Sequence, residues 1–354
     1  MTGSGRTPSG VDAPPSSRAR FDGIDAARGL AVIGMMAAHV WPRDDGQGEL
    51  LVDGRPSMLF ALVAGVALGI VTGAAQHDAA RQTTARWRVL IRAGLLLALG
   101  LLLWMLPSGI AIILDYYGLM FALMIPLLFL PRLALVGIGA VLLVVVPMAR
   151  DAVVAAGSPI DEPWAAASEY LLTGYYPVLL WLPLLIAGLL CARSDLAATR
   201  TRLLMLSLGT LASVAGYGAA LVLPEVSAEA HSSTVAELLG SGGLAVAVIA
   251  LSLVLLDRPG TARALSIGAL PFVAVGRMPL TIYTAHVLVI AAFAPLGPAG
   301  LFAPDVGIAL FIGLTVAAFL VAGAAMAGGR RGPLEAAVSS ISAWPGRRGA
   351  TMGA

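Results

Sequence analysis

The sequence predicts an all-α polytopic membrane protein, a bundle of about ten transmembrane helices with both termini in the cytoplasm. Three observations support this fold class. Hydrophobic residues make up 58% of the 354 residues and charged residues only 12%, with a mean hydropathy of +0.89, whereas a soluble domain averages roughly 25% charged residues. Apolar segments of bilayer-spanning length recur along the chain. Arginine residues are concentrated on alternate connections between these segments.

Ten apolar segments are each close to the roughly 20 residues that cross a bilayer. In order, they cover residues 23–41, 56–75, 88–106, 109–130, 133–149, 170–191, 203–223, 235–256, 272–295 and 306–327. Backbone polar groups cannot stay unpaired in lipid, so each segment is expected to be a helix. Proline residues within or beside the segments predict kinks. They are Pro126, Pro147, Pro177, Pro183 and Pro279.

The arginine distribution fixes the predicted orientation. Every one of the 22 cationic residues is Arg, and only Arg43, Arg55 and Arg150 lie on the connections opposite to the others. Because cationic residues are retained on the cytoplasmic side, both termini are predicted to be cytoplasmic. The protein is predicted to lie in the cell inner membrane. Because membrane topology explains the arginine residues, the net charge of +2 does not indicate nucleic-acid binding. We expect a lipid bilayer and no nucleic acid as a partner.

The chain is predicted to divide into three parts. Residues 1–20 are rich in Ser, Pro, Gly and Arg and lack the apolar core of a signal peptide, which indicates a disordered cytoplasmic tail. Residues 21–330 form the helix bundle, and residues 331–354 form an amphipathic segment and tail. That segment predicts either a helix on the inner membrane surface or a tail helix packed on the bundle. Its apolar stripe consists of Leu334, Val338, Ile341 and Trp344.

The first span, DAARGLAVIGMMAAH in residues 25–39, carries three ionisable residues on one helical stripe. Asp25 and Arg28 are three residues apart, close enough to pair. His39 lies about 16 Å farther along the helix, toward the outer side, and cannot touch the pair from the same helix. The stripe indicates either the two ends of one polar path or a helix-start anchor with a separate interfacial histidine.

Three further places carry polar residues where lipid disfavours them. They are Asp53 and Arg55 at the outer mouth of the second span, Asp115 and Tyr116 in the fourth, and Arg277, Tyr283 and His286 in the ninth. Ionisable groups at such depth usually face a cavity or a partner. The four His residues show no HxxxH or HxH spacing and the chain has one Cys, so no metal site is expected.

These stretches, taken in order, resemble the transmembrane acyltransferase superfamily, which includes heparan-α-glucosaminide N-acetyltransferase and bacterial relatives of unassigned substrate. FDGIDAARGLAVIGMMAAH resembles the family's first span, and the Arg28-x10-His39 spacing resembles the hallmark of the acyltransferase-3 membrane O-acetylases. The resemblance continues in order from about residue 20 to residue 340. The later segments are DGRPSMLFALVAGVALG, DYYGLMFAL, LLTGYYPVLLWLPLLIAGLL, VGRMPLTIYTAH and RGPLE.

The resemblance implies transfer of an acyl group from cytosolic acyl-CoA, such as acetyl-CoA, to an acceptor at the outer face. A hydroxyl or amine of a sugar, glycan, cell-envelope component or lipid would be that acceptor. His39 is then the general base, with Asp53 fixing its tautomer. Arg28 and Arg277 would attract the CoA phosphates, and Tyr283 and His286 would stabilise the oxyanion. The remaining predicted substrate-binding residues are Asp25, Arg55, Asp115 and Tyr116.

Two other functions remain open from the sequence. The first is a transporter or flippase in which Asp25, Arg28, Asp115 and His286 line a solute or proton path. The second is a non-catalytic membrane subunit whose polar residues serve packing alone. The oligomeric state is also open, and a homo-oligomer is compatible with the sequence.

Overall fold

A computed structural model describes residues 20–43, 48–73, 78–157, 161, 163–258, 260–297, 300 and 303–343. The predicted disordered tail lies outside the described residues except for Arg20. Trp344 of the terminal stripe and the tail that follows it also lie outside them.

Thirteen α-helices and no β-strand lie in this described part of the chain. In chain order they are α1 (Asp22–Val40), α2 (Arg55–Gly73), α3 (Ala79–Trp104), α4 (Leu114–Met124), α5 (Arg132–Ala156), α6 (Trp164–Ser168), α7 (Val178–Ala192), α8 (Thr199–Val222), α9 (Val235–Leu256), α10 (Arg263–Arg277), α11 (Pro279–Ala292), α12 (Pro304–Ala327) and α13 (Pro333–Ser342).

These helices confirm the predicted all-α polytopic bundle. Seven of them, α1, α2, α3, α5, α8, α9 and α12, are long and apolar enough to cross a membrane. Two further pairs are bent at a short break, α6 and its π-helical extension against α7 by 42°, and α10 against α11 by 80°. The shorter apolar stretch Leu114–Leu127 contains α4. Together these elements occupy the ten segments predicted from hydropathy.

Two boundaries differ from the prediction for local reasons. Helix α3 begins nine residues earlier than expected, because the Asp78 carboxylate accepts hydrogen bonds from the Ala80 and Arg81 amides and caps the helix. Residues 109–113, predicted to be helical, form a connection without regular secondary structure instead. Gly109 has a φ of +66°, and with Pro107 just before it this geometry prevents the helix from starting before Leu114.

Helix α1 lies at the centre of the bundle, whereas α5 and α8 are mostly exposed on its periphery. In α1, 72% of the most apolar window is buried, compared with 17% in both α5 and α8. Helix α1 packs against α2, α9, α10, α11 and α12. The Asp257 carboxylate at the end of α9 accepts hydrogen bonds from the Asp22 and Gly23 amides, at 2.9 and 2.8 Å, and so fixes the start of α1.

Candidate functional site

Two histidines from different helices meet in the interior of the bundle. His39 lies in the last turn of α1 and His286 lies in α11. Nδ1 of His39 and Nε2 of His286 are 2.9 Å apart, and the two rings stack with an interplanar angle of 10°. Both residues were predicted as site residues, but their contact was not. The structure therefore joins two separate predictions into one pair.

A cavity of about 350 Å³ opens beside His39 on the predicted outer side. Its volume falls within the range of small-molecule sites. Four connections and the end of α1 form its wall. The lining residues are Ala38, His39, Arg43, Pro107, Ser108, Gly109, Ile110, Ala111, Tyr175, Tyr176, Phe293, Ala294 and Gly297. His286 is only 1% exposed, so it lies behind His39.

Asp53 binds an arginine rather than His39. Its carboxylate accepts hydrogen bonds from both terminal nitrogens of Arg43, at 3.0 and 2.7 Å, and from the Leu50 amide at 2.8 Å. Arg43 also donates to the Ala38 carbonyl and lines the cavity. The predicted Asp53–His39 contact is therefore replaced. His286 takes the partner position on His39, and Asp53 orients Arg43 instead.

The Arg43–Asp53 pair predicts a defined pH dependence of stability. Burial alone would raise the pKa of Asp53, but hydrogen bonds from Arg43 and Leu50 hold it below its ordinary value near 4. A carboxyl group whose pKa is lower in the folded state stabilises the fold at pH values above its unfolded-state pKa. That stabilisation is lost as the pH falls through the folded-state pKa. We therefore expect Asp53→Asn to lower the thermal midpoint at pH 7 and to match the wild type near pH 2.

The measurement is the thermal unfolding midpoint of both proteins at several pH values between 2 and 7. Asp151→Asn is the matched control, because Asp151 is largely exposed and binds only its neighbour Arg150. A gap between Asp53→Asn and wild type that stayed constant across this range would show that the ion pair does not supply the difference.

Arg55 connects the outer mouth of α2 to α8. Its guanidinium donates to Glu49 at 2.9 Å, to the Leu50 carbonyl at 3.0 Å and to the Tyr217 hydroxyl at 2.9 Å. Arg55 does not line the cavity beside His39. Its contacts hold the turn that carries Asp53, so the structure gives it a supporting position.

Asp115 is buried and pairs with Tyr170. It is 2% exposed, and one carboxylate oxygen accepts a hydrogen bond from the Tyr170 hydroxyl at 2.9 Å. The other oxygen is buried and makes no hydrogen bond. Tyr116 packs its ring against Tyr170 and Tyr176. Asp115 and Tyr116 therefore lie one layer behind the cavity wall, which Tyr176 forms.

Tyr283 contacts both the histidine pair and the connection that precedes α4. Its ring meets the His286 ring edge-on, with centroids 4.9 Å apart. Its hydroxyl accepts a hydrogen bond of 3.4 Å from the Ile113 amide, at the end of the connection that lines the cavity. Tyr283 is itself 2% exposed, so it acts on the cavity through these neighbours.

A second polar cluster forms at the first turns of α1, the end that the sequence predicts to be cytoplasmic. Asp25 accepts hydrogen bonds from Arg20 at 2.8 Å and Arg28 at 2.9 Å, and Nε of Arg277 lies 3.6 Å away. Arg277 also pairs with Asp22 at 3.0 Å. The predicted Asp25–Arg28 pair is present. Both predicted phosphate-binding arginines are thus already engaged by carboxylates, and an anionic ligand would have to compete with them.

The sequence did not predict a role for His231, Tyr175 or Tyr176, three ring side chains that contact one another on the predicted outer side. His231 stacks on Tyr175, with centroids 3.9 Å apart, and contacts the Tyr175 carbonyl at 3.1 Å. Burial lowers the pKa of His231 to about 4, so this ring is neutral at pH 7. The backbone of His231 has a φ of +61°. The buried Glu237 carboxylate accepts a hydrogen bond of 2.6 Å from the His231 amide. In the sequence, the paired tyrosines of the GYYP stretch, residues 174–177, were the signal that could have indicated this aromatic cluster.

Tyr175 also separates the cavity from a second, more open groove of about 820 Å³. The groove is lined by Arg150, Val153, Val154, Gly157, Ala165, Ser168, Glu169, Thr173, Gly174, Tyr175 and His231. Among the residues that the structure describes, no group of three or more His, Cys, Asp or Glu residues could hold a metal ion.

Comparison with known proteins gives a partial match. No curated protein matches the chain. A family model described as "Protein of unknown function (DUF418)" matches residues 187–344. The matched region runs from the end of α7 through α13 and contains His286 but not His39. Over this part the chain is similar to a family of membrane-associated proteins whose description assigns no function.

Proposed function

We propose that this protein is a membrane acyltransferase that moves an acyl group from cytosolic acyl-CoA to a hydroxyl or amine at the outer face. The observation that carries the proposal is the contact between His39 and buried His286, in which His39 opens onto a cavity of small-molecule size. The resemblance of the ordered motifs to membrane acyltransferases supports the same reaction class.

The geometry of the pair selects one ring nitrogen for chemistry. Nδ1 of His39 is occupied by His286, so Nε2 is the nitrogen left for an acceptor. If His39 donates through Nδ1–H, its Nε2 carries a free lone pair and can act as a general base. His286 then accepts at Nε2 and is protonated at Nδ1, a buried atom that has no hydrogen-bond partner among the residues that the structure describes. His286 thereby fixes the tautomer of His39.

The reaction then proceeds as ordinary acyl transfer. His39 Nε2 removes the proton of the acceptor hydroxyl or amine as that atom bonds to the thioester carbonyl carbon. The carbon–sulfur bond breaks, and the CoA thiolate leaves with the proton that His39 has held. Arg43 and the Ser108 hydroxyl line the same cavity, so they are the groups best placed to stabilise the oxyanion.

The donor and acceptor are assigned to opposite sides of the membrane. The arginine distribution places the Asp25 cluster on the cytoplasmic side, where acyl-CoA is available, and the cavity on the outer side. We propose the cell inner membrane as the location and a sugar, glycan or lipid as the acceptor. Arg28 and Arg277 would contribute to CoA binding only by exchanging their present carboxylate partners for phosphate.

The proposal is tested with the full chain purified into lipid nanodiscs. Acetyl-CoA labelled in the acetyl group is supplied with a membrane-envelope extract, and free CoA thiol and labelled product are measured. Thiol release above an empty-nanodisc control, with label entering the extract, is expected. Wild-type protein that releases no thiol from acetyl-, propionyl- or longer acyl-CoA in the presence of the extract would refute the proposal.

A transporter is the second candidate, because the span formed by α10 and α11 is broken by an 80° bend. Discontinuous helices whose ends meet charged groups are a common feature of transporter sites. Uptake of a solute into proteoliposomes without acyl-CoA, together with no thiol release, would favour this candidate. Thiol release without uptake would favour the acyltransferase.

A further inference from the structure

The break between α10 and α11 is held from both sides by opposite charges. At the end of α10, Arg28 donates a hydrogen bond of 3.0 Å to the Gly276 carbonyl. At the start of α11, the Glu335 carboxylate accepts from the Leu280 and Thr281 amides at 2.6 and 3.1 Å. A cation at a helix C-terminus and an anion at a helix N-terminus each match the helix dipole. One orphan carbonyl of α10 and two orphan amides of α11 are thus satisfied at the bend.

Glu335 belongs to α13, so its contact docks the C-terminal helix onto the broken span. Its second carboxylate oxygen accepts a hydrogen bond of 2.6 Å from the Thr281 hydroxyl. That hydroxyl in turn accepts from the Leu334 amide at 3.2 Å. Three donors of α11 therefore converge on one side chain of α13. The resulting contact is directional and is specific to one register of the two helices.

The backbone just before α13 fits closely against the same bend. A Cβ atom added to Gly332 would lie 2.7 Å from Cβ of Met278 and 2.8 Å from the Thr281 hydroxyl oxygen. These distances are shorter than van der Waals contact, so the position accommodates only glycine without rearrangement. The rest of α13 packs against α3 and α11. Its far end is more open to solvent, since Ile341 is 48% exposed.

The docked end of α11 leads directly to the histidine pair. His286 lies five residues after Thr281, about 7.5 Å along the helix axis. Tyr283, between them, contacts both His286 and the connection that lines the cavity. A helix is stiff over this distance, so a shift at its first turn is expected to move His286 relative to His39.

We propose that α13 is a cytoplasmic latch on the hinge between α10 and α11, and that Glu335 is the positioning residue that sets His286 against His39. The effect of this positioning on catalysis rests on the proposed function. The latch concerns the position of α11 in the bundle, so it can be tested without any turnover.

The test compares amide hydrogen exchange in α11 and diethyl pyrocarbonate modification of His286 in full-length protein in nanodiscs. The variants are Glu335→Gln, Glu335→Ala and Thr281→Val, with Ser339→Ala on an exposed position of the same helix as the control. We expect amides 283–290 to exchange roughly tenfold faster in Glu335→Ala, the factor that loss of a helix cap gives. His286 should also be modified faster, and Ser339→Ala should behave as wild type.

The intermediate variants keep the proposal falsifiable if Glu335→Ala fails to fold. Glu335→Gln retains one acceptor oxygen, and Thr281→Val removes only the hydroxyl, so both should show smaller changes in the same amides. If exchange increases only in residues 280–282 while His286 modification stays at the wild-type rate, Glu335 is a local cap and the latch is wrong.

Turnover separates this proposal from the function on which it rests. If acyl-CoA is a substrate, Glu335→Gln should lower kcat while leaving KM for acetyl-CoA unchanged, because the residue acts through His286 and not on the donor. Unchanged kcat would overturn the positioning role. Absence of thiol release by the wild type, combined with faster His286 modification in Glu335→Ala, would refute the acyltransferase and retain the latch.

Discussion

Replacing His39 by Ala is expected to lower acyl-CoA turnover by roughly 10²- to 10⁴-fold, the usual contribution of a positioned general base. The expectation follows from the geometry of the pair. His39 lines the cavity and its Nδ1 is held by His286, so no other ring nitrogen is presented to an acceptor there. The measurement is steady-state release of CoA thiol in nanodiscs, at saturating acetyl-CoA.

His286→Ala should cost a similar factor, since it removes the group that fixes the His39 tautomer. Residues that act as one unit show non-additive losses, so the double variant should be little slower than either single variant. Thr284→Val is the control on the same helix, because the Thr284 hydroxyl is buried and has no hydrogen-bond partner within the described part of the chain. Wild-type turnover in His39→Ala would exclude His39 as the base.

Replacing Gly276 by Ala should strongly destabilise the bundle. A Cβ atom at Gly276 would lie 1.7 Å from the Asp25 carbonyl oxygen, so the backbones of α10 and α1 are in direct contact. The added methyl must push the helices apart, and overpacking of this kind costs roughly 1–3 kcal/mol or more. The same movement would stretch the Arg28–Gly276 hydrogen bond.

Gly268→Ala in the same helix provides the matched control, because a Cβ at Gly268 has no atom within 4 Å. Higher helix propensity should make that variant neutral or more stable by up to about 1 kcal/mol. The measurement is the thermal unfolding midpoint of each variant in nanodiscs. Equal midpoints for Gly276→Ala and Gly268→Ala would contradict the close packing of α1 and α10.

The helices could be predicted from the sequence because a bilayer imposes one length and one composition on every span. Segment 235–256 was predicted with the bounds of α9. The early start of α3 was missed, because a polar, arginine-rich turn can be helical outside the apolar region when Asp78 caps it. The non-helical connection 109–113 was missed because apolar composition alone does not distinguish a span from an irregular segment against a cavity.

The candidate site could be predicted residue by residue but not as an arrangement. Asp25 and Arg28 were paired correctly because they lie three residues apart on one helix, where geometry follows from spacing. His39 and His286 are separated by 247 positions, and no periodicity within either helix specifies how α1 and α11 pack. Asp53 was assigned to His39 by topology, yet Arg43, ten residues before it, provides a charged partner that a neutral imidazole cannot match.

Sidedness in proteoliposomes is the most direct test of the central claim, that a cytoplasmic donor supplies the acyl group used at the His39 cavity. Acetyl-CoA is presented either to the face that carries α13 or to the opposite face, with orientation determined by protease cleavage of the C-terminal tail. Thiol release is expected only when acetyl-CoA faces α13, and it should disappear in His39→Ala. Equal release from either face, or release that survives in His39→Ala, would contradict the account.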